Sequence, residues 1–201
     1  MTHQTIEGPR MLGRYKLLDQ LAVGGMAVVH LAIEQGDHAL DRPVVIKQLQ
    51  PDLDDESSQR MLLQEARLAA RINHPNVVEI HEMGTHYGRP FIAMEYVPGV
   101  QIRELLVAAK DAQRPCPVGV AVGILMQACA GAHAAHELKG PSGEPENLVH
   151  RDLSPHNLMV SGGGHVKLLD FGVAKAAFNP DKTETGVLKG KYGYMLSLIH
   201  I

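Results

Sequence analysis

The sequence predicts an α+β chain in two lobes: a strand-rich first half carrying one helix, then a mainly helical half. Three observations predict it. Between Tyr15 and Tyr96, five short runs have the alternation and β-branched content of strands, with a single helical pattern among them. Val97-Pro98-Gly99 then breaks the chain. Beyond it, Gln101 to Lys110 and Val118 to Leu138 have the length and composition of helices. The 201 residues suffice for two small lobes, and 45% apolar with 20% charged residues is a globular composition.

Residues 1–14 read as a flexible leader without the apolar core of a signal peptide. Tyr15 to Leu21 and Val28 to Ile33 form a hairpin around the Gly-rich turn at Val23-Gly24-Gly25-Met26. A polar loop from Glu34 to Pro43 leads to a third strand, Val44 to Leu49. The acidic cluster from Asp52 to Glu56 opens a helix over Ser57 to Ile72, since carboxylates favour a helix N-terminus. Asn73-His74-Pro75-Asn76 stops that helix, and Val77 to Met83 and Phe91 to Tyr96 complete the five strands. In the second lobe, strands Leu158-Met159-Val160 and His165 to Leu169 flank the tight turn Gly162-Gly163-Gly164.

The most apolar stretch, Val118 to Ala135, contains Gln127 and His133 and reads as a buried core helix rather than a membrane span. His133 and His136 have helical spacing but no evident third ligand, so they read as ordinary surface or core histidines. Two cysteines make no disulfide framework, which points to a reducing, cytosolic setting. A net charge of −3 argues against a general nucleic-acid or anionic-membrane surface, without bearing on a local basic pocket.

The chemistry concentrates in Val149-His150-Arg151-Asp152-Leu153-Ser154-Pro155-His156-Asn157, followed by Asp170-Phe171-Gly172. Asp152 can accept or orient a hydroxyl proton, while Asn157 and Asp170 can hold Mg²⁺ on a phosphate chain. Lys47 shares a strand face with Val45 and Leu49. Glu65 shares a helix face with Met61, Leu68, Ala69 and Ile72, where an unpaired carboxylate is costly, so a Lys47–Glu65 ion pair is expected. Such a pair places the ammonium for α/β-phosphates. The turn Leu21-Ala22-Val23-Gly24-Gly25-Met26-Ala27-Val28-Val29 offers backbone N–H groups to phosphate oxygens, a weaker signal because Gly-Gly is common in hairpins.

These residues make the chain resemble eukaryotic-type protein kinases, in particular the bacterial serine/threonine (Hanks-type) branch, from about Tyr15 to Met195. The resemblance includes His74-Pro75-Asn76 and the hinge-like Met94-Glu95-Tyr96-Val97. It implies a five-stranded antiparallel sheet with one helix in the N-lobe (residues 15–97), and a mainly helical, incomplete C-lobe (98–195). It implies ATP and Mg²⁺ as cofactors and a protein Ser/Thr hydroxyl as acceptor. Met94 takes the gatekeeper position, and the backbones of Glu95 and Val97 the adenine-binding ones. Arg151 beside Asp152 implies control by activation-segment phosphorylation, with Thr183 and Thr185 as acceptors and a kinase dimer as the autophosphorylating species.

The sequence departs from the family pattern in four places. Ala22 and Ala27 replace two glycines of the phosphate loop. Ser154 stands where serine/threonine kinases usually carry a Lys. Lys191 stands where a Thr is frequent, and the two changes read as an exchange in which Lys191 supplies the missing cation and Ser154 its hydroxyl partner. The Ser-Pro-His-Asn form of the loop and the segment Gly186 to Lys191 resemble myxobacterial kinases. Finally, residues 196–201 replace the expected Pro-Glu element and helical bundle, and resemble non-native read-through from a truncated reading frame. A membrane anchor beyond residue 201 is compatible with a cytosolic catalytic domain. The rival expectations are a nucleotide-binding pseudokinase or docking scaffold, an inactive fragment, and a small-molecule kinase of related fold.

Overall fold

The computed structural model describes residues 10–24, 27–36, 41–50, 55–146, 148–150 and 152–170, with the backbone alone at position 65. The chain divides into two compact units. One holds the residues up to Ala70 together with Glu79–Tyr96; the other holds Arg71–Val78 and everything from Val97 onward.

The first unit is built on an antiparallel sheet in the order β1-β2-β3-β4-β6-β5. Its strands are β1 (Arg10–Leu12), β2 (Tyr15–Val23), β3 (Ala27–Glu34), β4 (Arg42–Leu49), β5 (Ile80–His86) and β6 (Arg89–Glu95). The five expected strands are present, and β1 is an addition. It corrects the expected leader at its C-terminal end: residues 10–12 pair with β2 and Leu12 is 2% exposed. Three residues are too few to show a period, and Gly13, at φ +58°, supplies the sharp reversal between β1 and β2.

One sheet face buries Leu12, Tyr15, Leu17, Ala32, Val44, Ile46, Phe91 and Ala93. The Tyr15 and Phe91 rings meet edge to face at 5.7 Å. The Tyr15 hydroxyl donates to Glu82 Oε2 at 2.6 Å, and burial with that carboxylate pushes its pKa up to about 12. The other face carries Leu49, Ile92 and Met94, packed against Leu62 and Ala66 of α1 (Glu56–Ala69). Asp55 caps this helix by accepting from the Ser57 and Ser58 amides at 2.9 and 3.0 Å and from Ser58 Oγ at 2.7 Å. These bonds hold its carboxyl well below the usual carboxylate range.

In the second unit, α2 (Ile102–Asp111) and α3 (Val118–His136) accompany a small antiparallel sheet ordered β7-β8-β9. Its strands are β7 (Gly99–Gln101), β8 (Leu158–Ser161) and β9 (Val166–Leu168). Val77 and Val78, expected to begin a strand of the large sheet, instead attach to β9. Val77 bridges Leu168 in parallel, and the Val78 amide donates to Leu168 O at 2.9 Å.

Helix α3 departs from the expected buried core helix. It buries only Ala128, Gly131 and Ala135, whereas Leu125 is 60% and Met126 67% exposed. Within this unit only a narrow stripe of small residues meets β9, which leaves the larger side chains facing outward. By length and composition α3 is long and apolar enough to cross a membrane.

Candidate active site

The site residues of the first unit lie on the sheet face that α1 covers. Cross-strand register places Ala22 of β2 opposite Val29 of β3, Val29 opposite Lys47 of β4, and Lys47 opposite Ile92 of β6. The row joins the Gly-rich hairpin to Lys47 through direct backbone pairing. Val45 and Leu49 flank Lys47 along β4 and belong to the cluster under α1, as alternation predicts. Glu65 lies in α1, on the turn that carries Leu62 and Ala66. Its side chain, and therefore the expected Lys47–Glu65 pair, lies outside the described residues.

Leu21 and Val23 are exposed at the tip of β2, Ala27 is buried, and Gly24 N donates to Ala27 O at 2.8 Å to close the turn. Gln50 Nε2 also donates to Gly24 O. Gly25 and Met26 lie outside the described residues. Met94 is buried against Leu49, Leu62, Ala66 and Ile92. The Glu95 amide donates to Glu79 O at 2.8 Å, so that amide is engaged within the first unit. Val97 is buried in the second unit.

The catalytic-loop residues belong to the second unit. His150 is 3% exposed and its Nε2 lies 2.9 Å from Leu169 O. A carbonyl only accepts, so Nε2 carries the proton and Nδ1 faces the Asp152 amide at 3.4 Å. Burial pushes the His150 pKa down, against smaller opposing effects of the Leu169 carbonyl and of Asp152. The ring is a neutral post between the loop and the strand that leads to Asp170.

Asn157 Nδ2 donates to Asp152 O at 2.8 Å and to Asp152 Oδ2 at 3.0 Å. Both partners only accept, which fixes the amide orientation: Nδ2 faces Asp152 and Oδ1 points away from it. Asn157 N donates to Ser154 O, and Leu169 N to Asn157 O, both at 2.9 Å. One residue thus ties the loop, the base and the Asp170 strand together. Ser154 is 5% exposed, and its carbonyl closes the turn onto Asn157. Asp170 sits at φ +40°, a left-handed conformation uncommon for a residue with a Cβ and frequent at functional sites. Arg151, Thr183, Thr185 and Lys191 lie outside the described residues.

A brace behind this loop was only partly visible in the sequence. Asn76 Nδ2 donates to Val166 O at 2.8 Å and to Gln127 Oε1 at 3.1 Å. Gln127 Oε1 accepts the Val166 amide at 2.9 Å, and Gln127 Nε2 donates to Gly164 O at 3.0 Å. The Leu168 amide donates to Asn76 O at 2.8 Å. Gln127 therefore positions β9, the strand that leads to Asp170. Its signal in the sequence was a lone carboxamide within the most apolar stretch.

A loop that holds an Asp carboxylate against an Asn amide, two residues after a buried His, and anchors both to a segment leading from a strand to an Asp is the constellation of phosphoryl transfer. The match to the protein kinase domain runs over residues 15–195. The chain belongs to the protein kinase family.

Among relatives, it is 44% identical over 184 residues to the tyrosine-protein kinase MasK of Myxococcus xanthus, covering 91% of this chain and 28% of that protein. It is 34% identical over 189 residues to the serine/threonine-protein kinase PrkC of Bacillus subtilis, covering 94% of this chain and 27% of that protein. The chain thus spans under a third of the length of these kinases. The Mycobacterium tuberculosis PknI kinase domain superimposes with a TM-score of 0.64 at 26% identity, over 85% of this chain and 64% of that one. The structure titled PpkA-294 apo form shares the fold, with a TM-score of 0.66 at 21% identity over 85% of this chain and 62% of its own. A sheet-and-helix unit followed by a partial helical unit is thus the kinase fold, as the sequence predicts.

Protein kinases use ATP and Mg²⁺ generally, and the residues present fit both. Mg²⁺ takes oxygen ligands and keeps waters, so one or two protein ligands suffice. Asn157 Oδ1, turned away from Asp152, and the Asp170 carboxylate are such oxygens.

Proposed function

We propose that this chain is the catalytic part of a protein serine/threonine kinase, transferring the ATP γ-phosphoryl group to a protein hydroxyl. The observation that carries the proposal is the paired hydrogen bonding of Asn157 to Asp152, which aims a carboxylate and an amide oxygen from one loop. Asp152 orients the acceptor hydroxyl and takes up its proton as the new O–P bond forms and the bond to ADP breaks. Asn157 Oδ1 and Asp170 would hold Mg²⁺, which would supply charge neutralisation. Lys47, paired with Glu65, positions the α/β-phosphates, and the backbone from Leu21 to Val29 covers them. Met94 and the backbones of Glu95 and Val97 shape the adenine site. Arg151 and phosphorylation of Thr183 or Thr185, in a kinase dimer, provide control. The domain works in the cytosol on protein rather than nucleic acid.

A phosphotransfer assay of the full-length gene product tests this, with generic protein substrate and phosphoamino-acid analysis. Asp152→Asn is expected to lower incorporation by about 10²-fold or more, the scale of a lost general base; equal incorporation in both proteins sinks the mechanism. The product analysis also separates a second reading, tyrosine as acceptor, which the printed function of the 44% identical relative favours.

The Ser154–Lys191 exchange makes its own prediction. If Lys191 replaces the missing loop Lys, Lys191→Ala lowers kcat/KM by about 10-fold or more, as expected for lost charge stabilisation. An unchanged kcat/KM removes the idea.

A further inference from the structure

The sheet face opposite α1 carries a cavity of about 230 Å³, at the end of the face beyond the Tyr15–Phe91 core. Arg10 of β1, Gln20 of β2, His30 of β3, Gln48 of β4 and Arg89 of β6 line it, and among the described residues that line it none is acidic. Five strands therefore converge two guanidiniums, an imidazole and two carboxamides on one hollow. Drug-sized ligands occupy pockets of about 300–1,000 Å³, so this volume suits a small polar group rather than a nucleotide.

His30 supplies the second, independent observation. It is 5% exposed, it lines the cavity, and its Nδ1 is buried without a hydrogen-bond partner. A buried ring nitrogen in that state calls for a ligand, because polar groups withdrawn from water are normally satisfied. Burial, and then the Arg10 charge, push its pKa down, so the ring is neutral while the cavity holds no anion. An oxyanion against Nδ1 and Arg10 offsets both effects and lets the ring take up a proton and donate.

We propose that this cavity is an oxyanion site on the N-terminal unit, taking a phosphate group, either inorganic phosphate or a phosphomonoester such as phosphothreonine. It is separate from the Gly-rich hairpin and Lys47 row: His30 and Gln48 alternate with Val29 and Lys47 along their strands, and Gln20 pairs with His30 whereas Ala22, beyond the register shift between them, pairs with Val29, so Gln20, His30 and Gln48 lie on the opposite face. Arginine suits the role because its planar fork of donors matches phosphate oxygens. Among the described residues that line the cavity, the charged groups are Arg10 and Arg89, while β2 and β4 contribute the neutral Gln20 and Gln48. Binding is therefore tighter at lower pH across the His30 titration.

The test is an NMR titration of the His30 ring in the full chain, with inorganic phosphate, phosphothreonine and unphosphorylated threonine in separate arms. The expected result is a saturable shift of the His30 signals with phosphate, a raised His30 pKa at saturation, and no response to threonine. Arg10→Gln weakens binding by about tenfold, the scale of one charge-assisted hydrogen bond. Arg42→Gln, at an exposed ion pair with Glu34, leaves it unchanged. His30→Gln keeps a polar side chain should larger changes disturb the sheet, and it too must weaken binding, read there from the backbone amide signals of Gln20 and Gln48. A response to phosphothreonine identifies a phosphomonoester as the occupant; a response to inorganic phosphate alone identifies the free ion. No saturable shift in either arm, or equal affinity in wild type and Arg10→Gln, overturns the proposal.

Discussion

At Asn157 the two ends of one amide are set apart: the nitrogen fixes Asp152, and the oxygen is turned away from it. The same economy holds at His150, whose Nε2–H serves Leu169 while Nδ1 meets the Asp152 amide. This arrangement requires a neutral ring, and that gives it a pH dependence. The pKa of His150 lies below its ordinary 6.5 in the folded chain. As pH falls below 6.5 the unfolded chain takes up a proton that the folded chain refuses, so stability is full above that value and declines toward the lower folded pKa. His30 and His81 are shifted in the same direction, mainly by burial, and add to the effect. The melting temperature is therefore expected to fall between about pH 7.5 and pH 5.5. His150→Asn starts lower but declines less steeply, and an unchanged slope in that variant excludes His150 as a source.

At the scale of the elements, α3 shows how one substitution changes sign with position. A Cβ at Gly131 falls 2.7 Å from both Asn76 O and a Leu168 methyl, too close to a backbone atom for side-chain rearrangement to relieve. At Gly123 a Cβ meets nothing within 4 Å. Gly123→Ala is expected to stabilise by up to about 1 kcal/mol through helix propensity. Gly131→Ala is expected to destabilise, because overpacking of about 1–3 kcal/mol exceeds that gain. Thermal melts of the two variants check both signs; two increases would mean that α3 does not rest on the Asn76 turn.

The elements also show what was legible in the sequence. Alternation placed β2, β3, β4 and β6 within a few residues, and the acidic run located the start of α1. Strands β1 and β7 have three residues each, too few for a period, and Val77–Val78 had the composition of a strand without any mark of its partner. The catalytic loop was legible because Asp152, Asn157 and Asp170 stand close together in the chain, in the order and spacing of the motif that the sequence resembles. Gln127 was not, because its partners are backbone groups of distant segments. The outward face of α3 was misjudged since hydropathy reports what a segment can bury, not what stands beside it.

For the molecule as a whole, the two units carry different parts of the chemistry. The first presents Lys47 and the Gly-rich hairpin on a sheet stiffened by α1. The second holds the candidate base Asp152 and the candidate metal ligands Asn157 and Asp170, with the loop tied to Leu169 and β9 clamped against α3. The clamp has a consequence in solvent exchange. Amides of short strands usually exchange their hydrogens through small local openings. The Val166 amide is held by Gln127 from α3, and the Leu168 amide by the carbonyl of Asn76, whose side chain donates to Gln127. Neither can open without detaching the helix. These two amides should therefore exchange with deuterium among the slowest of their unit, at the rate set by its cooperative unfolding. The segment that delivers Asp170 keeps its place for as long as the unit stays folded.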